Sequence, residues 1–314
     1  MRTLRASVIV ECLKAVHLSS YVQASNPHTG GLFLVGPPGV MKSFFLEALD
    51  HYETAVPLTD VNTQNLVGLK SKFTNSSLRT LVMPEFQRIY ERDPRTAAGV
   101  EGSLRALVEE GFRGASFEDS TIQRFRARAT VIGAITDSFQ ERNWRRWEET
   151  GFARRFLWCL IRLQNAELLM ESVASGHMLG FTDADEMIPM NTPPGSIPDL
   201  LTEGERRDLR YLVKKQPKPA NVPYEMVCRI AAVLKYYYQE RNSKRNHMQI
   251  VKEFGNCLLG GADIVGLEVT GMKFKQRGLI NGNSESDAGQ KGTQRESLPG
   301  RDDSAKRAGR TRKC

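Results

Sequence analysis

The chain has no run of about eighteen consecutive apolar residues, the length a helix needs to cross a bilayer, so no membrane span is expected. Its first residues, Met1-Arg2-Thr3-Leu4-Arg5, lead into an amphipathic stretch interrupted by Glu11 and Lys14, which does not read as an export signal. Cysteine is scarce. The five present, Cys12, Cys159, Cys228, Cys257 and Cys314, are scattered, odd in number and without metal-ligand spacing. A disulfide framework and a thiolate metal site are therefore not expected; reduced, buried thiols in a cytoplasmic protein are. No internal repeat is visible. Charge of one sign is also lacking over most of the length. The formal net charge is +8, but residues 273–314 hold eleven Lys/Arg against five Asp/Glu, a net of +6, which leaves +2 for all the rest. The basic stretch either attracts nucleic acid or another polyanion, or merely keeps a tail solvated.

What is present is concentrated at residues 36–43. Gly36-Pro37-Pro38-Gly39-Val40-Met41-Lys42-Ser43 follows the apolar run Leu32-Phe33-Leu34-Val35 and precedes a helix-like stretch from Phe44 to Leu49. A strand, a turn and a helix, with lysine and hydroxyl at the turn's end, form a cradle for a nucleotide triphosphate. Backbone N–H groups of the turn and the helix start point at phosphate oxygens. Lys42 supplies a point charge, and the Ser43 hydroxyl is placed to hold Mg²⁺. The pattern is G-x-x-x-x-G-K-[ST] except that Met41 stands where the second glycine belongs, so its side chain must point away from the phosphates. Gly36 to Ser43, with Phe44 closing the helix start, are the expected ATP-binding residues.

Apolar residues at helical spacing (Val8, Leu13, Val16, Leu18, Val22) predict a first helix. Strands are expected at Leu32–Val35, Ala55–Leu58, Leu78–Met83, Ala129–Ile135 and Phe156–Leu163, with a helix from Ala98 to Glu110. Near-continuous apolar strands alternating with helices predict an α/β fold with a parallel sheet between helical layers. Ligands of such sheets bind beyond the carboxyl ends of the strands. From Leu168 the character changes: the loop Thr192-Pro193-Pro194-Gly195 is followed by helical patterns at Thr202–Val213 and Tyr224–Arg241. Beyond Gly278 almost no apolar residue remains, and disorder is expected. The expected organisation is a nucleotide-binding domain over residues 1–165, a mostly helical C-terminal domain over 166–277 and a disordered basic tail over 278–314.

Hydrolysis needs a carboxylate to orient water, a hold on Mg²⁺ and positive charge at the transferred phosphoryl group. Glu85, in Met83-Pro84-Glu85-Phe86 at the end of the third strand, is assigned as the water-orienting base and, with Ser43, as a metal ligand; the alternative is an exposed loop carboxylate. Thr136, in Thr136-Asp137-Ser138 after the fourth strand, either senses the γ-phosphate or simply ends the strand. Of the two arginines in Gly151-Phe152-Ala153-Arg154-Arg155-Phe156, Arg155 is favoured to reach a neighbouring subunit's γ-phosphate, with a structural salt bridge as the competing account. Trp144-Arg145-Arg146-Trp147 either stacks bases or packs on the core, and packing is favoured.

In this order, Gly36–Ser43, Glu85, Thr136 and Gly151–Phe156 resemble the nucleotide turn, acidic strand end, polar sensor and arginine finger of the AAA+ ATPases, over residues 30–163. The Gly-Phe-x-x-Arg-Phe form is similar to that of minichromosome-maintenance helicases and of ATPases from phage and mobile elements. The resemblance implies a P-loop NTPase fold, ATP as the nucleotide, and a homo-oligomeric ring or transient assembly sharing active sites. Where most relatives carry an aspartate before the glutamate, this chain has Pro84. Related ATPases also place a hairpin before the sensor strand. Residues 111–126, with turn residues flanked by alternating aromatic and basic positions, read as such a β-hairpin. Its Arg113, Arg124 and Arg126, with Arg128 and the tail, would meet a nucleic-acid backbone, or pair with Glu109, Glu110, Glu118 and Asp119 on a solvated surface. Two functions follow: an ATP-hydrolysing helicase, loader or replication-associated remodeller of DNA, or a non-hydrolysing nucleotide switch or scaffold. Remodelling of a protein partner is a further alternative.

Overall fold

Seven short strands pair side by side in the order β1-β10-β8-β2-β7-β4-β3, and every pairing is parallel. In chain order they are β1 (Thr3–Arg5), β2 (Gly31–Val35), β3 (Ala55–Pro57), β4 (Thr80–Met83), β7 (Thr130–Ile135), β8 (Phe156–Leu163) and β10 (Ala262–Val265). Strands β5 (Phe112–Glu118) and β6 (Thr121–Ala127) form a separate antiparallel hairpin, and β9 (Leu179–Phe181) pairs antiparallel with β11 (Leu267–Val269). This computed structural model describes residues 3–23, 30–59, 61–91, 93–118, 121–163, 179–181, 188, 195–241, 243, 245–258, 261–265 and 267–269. Residues 1–274 make one compact unit. The expected tail, 278–314, lies outside the described residues.

The central strands β2, β4 and β7 are buried at every position, which is why they read as unbroken apolar runs rather than alternating ones. Their alternation appears only in three dimensions. Leu32, Leu34, Ile132, Ala134, Leu157 and Cys159 face one hydrophobic cluster, whereas Phe33, Val35, Val131, Ile135, Phe156 and Trp158 face another. Helices therefore cover both faces. On the first lie α1 (Ala6–Leu18), α2 (Lys42–Glu47) and the helices Glu203–Lys214, Tyr224–Glu240 and His247–Phe254. On the second lie α5 (Pro94–Val108) and α6 (Asp137–Glu149), with α3 (Thr63–Gly68) touching α5 and α4 (Lys70–Thr74) touching β6. The second face is aromatic: Phe33 stacks on Trp158 with ring centroids 5.0 Å apart, and Trp158 stacks on Trp147 at the same distance. Trp147 is thus a core residue, as the packing expectation for its cluster had it.

Helix α1 is buried all round because the Tyr224–Glu240 and His247–Phe254 helices cover the side that the sheet does not. Its polar residues consequently need internal partners. Glu11 accepts hydrogen bonds from Tyr238 and from Arg245, the latter at 2.8 Å, and burial raises its carboxyl above the usual range. His17 is fully enclosed, with Nδ1 2.8 Å from Thr80 Oγ1, and burial lowers its pKa to about 3. A base depressed from 6.5 to about 3 is neutral in the folded chain but protonated in the unfolded chain between those values. Stability contributed by this site is complete above pH 6.5 and falls by about 1.4 kcal/mol per pH unit below it. Urea denaturation at pH 7 and pH 5 should show His17→Gln losing less on acidification than the parent, by about 2 kcal/mol; equal losses would place the acid sensitivity elsewhere.

Candidate functional site

Residues 36–43 leave the carboxyl end of β2 and enter α2, at the sheet edge where β7 and β4 also end. Two features of the main chain force the turn. A Cβ at Gly36 would lie 2.5 Å from the Ile161 carbonyl oxygen and 2.9 Å from Val40, so only glycine permits this approach of β8. Gly39 and Met41 both hold left-handed conformations, with φ of 79° and 61°. At Met41 such a conformation costs about 1–2 kcal/mol, which explains the usual preference for glycine there. The Met41 side chain is directed to the hydrophobic cluster beneath α1 and recovers part of that cost by packing. Pro37, Pro38 and Gly39 are exposed, Val40 is buried and anchors the loop, and Ser43 faces solvent.

Lys42 curls over the turn: its Nζ donates to the carbonyls of Gly36 and Pro37, both at 2.8 Å. Burial lowers the lysine's pKa, and the nearby Asp137 carboxylate opposes that shift. The N–H groups of Lys42 and Ser43 open a helix and have no acceptor within it. Helix α2 has six residues, half-buried Phe44 among them, and is displaced two residues towards the turn from the expected stretch. A helix that short has a small macrodipole and by itself offers little attraction to an anion.

Strand order brings two more of the expected residues to this edge. Thr136 follows β7, next to β2; Gly36 N–H donates to the Ile135 carbonyl at 3.4 Å. The Thr136 hydroxyl oxygen accepts from Phe139 N–H at 3.3 Å as the N-cap of α6, and its hydrogen points to Gln87 Oε1, also 3.3 Å away. Thr136 thus ends the strand and caps α6 in the way its strand-end reading expects. Glu85 follows β4, two strand spacings (about 10 Å) from β2. It is exposed and ion-paired with Arg88. Pro84 separates it from buried Met83.

Arg155 is not part of this group. It ends a short 3₁₀ turn (Ala153–Arg155) before β8, and so stands at the opposite, amino edge of the sheet. There its guanidinium pairs with Glu109 and donates to the Gly151 carbonyl; neighbouring Arg154 is exposed. The hairpin springs from the same edge. Phe112 and Ala127 turn inward, while Arg113, Arg124 and Arg126 are exposed, and Arg113 stands directly opposite Arg126. Arg126 donates to the Glu110 carbonyl, and Arg128 lies 3.4 Å from the same oxygen.

Gln87 and Asp137 were not assigned roles from sequence. Asp137 stands inside the Thr136-Asp137-Ser138 segment and Gln87 two residues after Glu85, but only the meeting of β4, β7 and the turn gives either relevance. No cluster of three or more His, Cys, Asp or Glu side chains able to hold a metal occurs among the described residues. No helix there is long and apolar enough to cross a membrane. No protein-family model matches the chain, and no curated protein matches it.

The turn makes opposite demands at two positions. Gly36→Ala should lower stability by about 1–3 kcal/mol through its clash with β8. Met41→Gly should stay within about 1 kcal/mol of the parent, because strain relief offsets lost packing and chain entropy. Thermal melts of both variants check this, and a Met41→Gly penalty as large as that of Gly36→Ala would contradict the strain assignment.

Proposed function

We propose that the chain binds ATP with Mg²⁺ at Gly36–Ser43, hydrolyses it, and couples turnover to work on DNA as a helicase, loader or replication-associated remodeller. The observation that carries this reading is the turn itself. An open loop with two left-handed residues and a lysine folded over it joins a central parallel strand to a helix, at the edge where Thr136 and Glu85 also emerge. That placement supports a P-loop NTPase arrangement, in which ligands occupy the carboxyl edge. In this reading turn amides and Lys42 bind the phosphates, Glu85 orients water, and Thr136 with Gln87 sets a polar contact for the γ-phosphate. The exposed Ser43 hydroxyl, with Glu85, would hold the metal; one or two side chains suffice where phosphates and water complete the set. The bound cation would offset negative charge on the phosphates. Arg155 would act on a neighbouring protomer in a homo-oligomer. Like charges facing each other at Arg113 and Arg126 support attraction of a phosphate backbone to the hairpin.

A second reading has its own support. Glu85 is engaged by Arg88 and Arg155 by Glu109, and Pro84 provides no carboxylate beside the site. A nucleotide-dependent switch or scaffold would bind ATP in this geometry without turning it over.

Steady-state ATP turnover should vanish in Lys42→Ala, fall by about 10²-fold or more in Glu85→Gln, and rise per protomer with protein concentration. Turnover that survives Lys42→Ala would remove the ATPase. Tight ATP binding with no product in a single-turnover experiment would select the switch. Separately, Arg113→Ser with Arg124→Ser should flatten the salt dependence of DNA binding by about 1.4–1.8 log units per decade of salt; an unchanged slope would take the hairpin out of the interface.

A further inference from the structure

The Glu203–Lys214 helix begins with a capping box, Thr202 and Glu205, and buries Leu209 and Val213. Its other side carries Arg207, Arg210, Tyr211, Lys214 and Lys215, spaced i, i+3, i+4, i+7, i+8, and all five are exposed. Spacing of this kind makes one continuous stripe. The helix's exposed carboxylates, Glu203 and Asp208, lie in its first half, so from Arg210 onward the surface is cationic. Ion pairs elsewhere on this helix join Arg206 to Asp199 and Glu205 to Lys235; none involves Arg207, Arg210, Lys214 or Lys215 among the described residues.

Aromatic rings are interleaved with the cations. Tyr211 is 60% exposed, unusual for a large ring on an otherwise charged face. Lys215 Nζ lies 4.3 Å from its centroid, the Arg210 guanidinium 5.5 Å from that of Tyr224, and Lys218 Nζ 4.9 Å from that of Trp144. Lys218, one turn beyond the helix, pairs with Glu148 and forms one wall of a cleft of about 320 Å³ with Trp144, Leu160, Pro217, Gln140 and Glu141. A row of cations tracks a phosphate backbone, exposed rings stack unpaired bases, and a cleft with an indole wall has room for one base.

We propose that this stripe, from Arg207 to Lys218, is a binding surface for single-stranded nucleic acid. The proposal rests on the nucleic-acid part of the function proposed above and is independent of its ATPase part. Charge complementarity selects a polyanion, and the exposed tyrosine with the adjacent cleft selects a strand with unstacked bases over a duplex, whose bases offer no free face.

The test is fluorescence anisotropy of the full chain with labelled oligothymidine, without nucleotide, over a salt series. Converting Arg207, Arg210, Lys214 and Lys215 together to Ser should weaken binding at least tenfold and reduce the salt slope by about 3. Tyr211→Ala should weaken oligothymidine several-fold and leave duplex binding unchanged. Melting temperatures verify folding, and Lys214→Ser with Lys215→Ser alone gives a milder variant with half the slope change. Unchanged affinity and slope in the fourfold variant would overturn the proposal, as would losses confined to duplex DNA or to anionic phosphatidylserine vesicles. Lys42→Ala should bind oligothymidine like the parent. Loss of oligothymidine binding in the stripe variants with no ATP turnover in the parent would sink the motor and leave this surface standing.

Discussion

Everything at the candidate site depends on the close parallel contact of β2 with β8. Leu160 stands in register with Val35, and the next carbonyl along β8, that of Ile161, presses so near Gly36 that no side chain fits. With that side closed, the chain must turn sharply, and it does so through Gly39 and Met41 in left-handed conformations. The same tightness folds Lys42 back onto the carbonyls at the start of the loop. A wider separation would relax the loop and release the ammonium group. The site's geometry is in this sense a property of sheet packing: the parallel pairing of Gly31–Val35 with Phe156–Leu160 joins the two strands, and Phe33 stacked on Trp158 adds a contact between them on the other face.

The central strands were legible because burial on both faces demands an apolar residue at each position. Leu32–Val35, Ala129–Ile135 and Phe156–Leu163 announce themselves for that reason, and the hairpin does so through its turn and its alternation. Strands β1 and β10 were not legible. Three and four residues carry too little pattern to register, and the two pair with each other across more than 250 positions of sequence. Helix α1 was legible as a helix, but not as a buried one whose His17 and Glu11 find partners on β4 and on the Tyr224–Glu240 helix.

The site divides in the same way. Residues within one short segment, Gly36 to Ser43, could be read because the motif is the geometry. Thr136 and Glu85 could be placed because strand ends follow from strand assignment. The ion pairs that now engage Glu85 and Arg155 differ in kind. Arg88 lies three positions from Glu85, a spacing that sequence inspection can find, whereas Glu109 lies 46 positions before Arg155 and meets it only because α5 and β8 share one edge. A pattern search has no access to contacts of the second sort.

Strand direction imposes one further condition. All seven strands run the same way, so the turn at Gly36–Ser43 and Arg155 stand at opposite edges. From Arg155 to the level of Val35 the chain climbs five residues of β8, about 17 Å. An arginine side chain does not span that distance, and this one is directed to Glu109. Within a single chain, therefore, Arg155 has no route to its own turn. A contribution to phosphoryl chemistry would require a second copy packed amino edge against carboxyl edge, with release from Glu109 as part of that assembly. The hairpin arginines spring from that same amino edge, so a contact that engages one group brings the other close to the interface. Coupling between nucleotide and nucleic acid in such an assembly would run across the boundary between subunits rather than through the sheet.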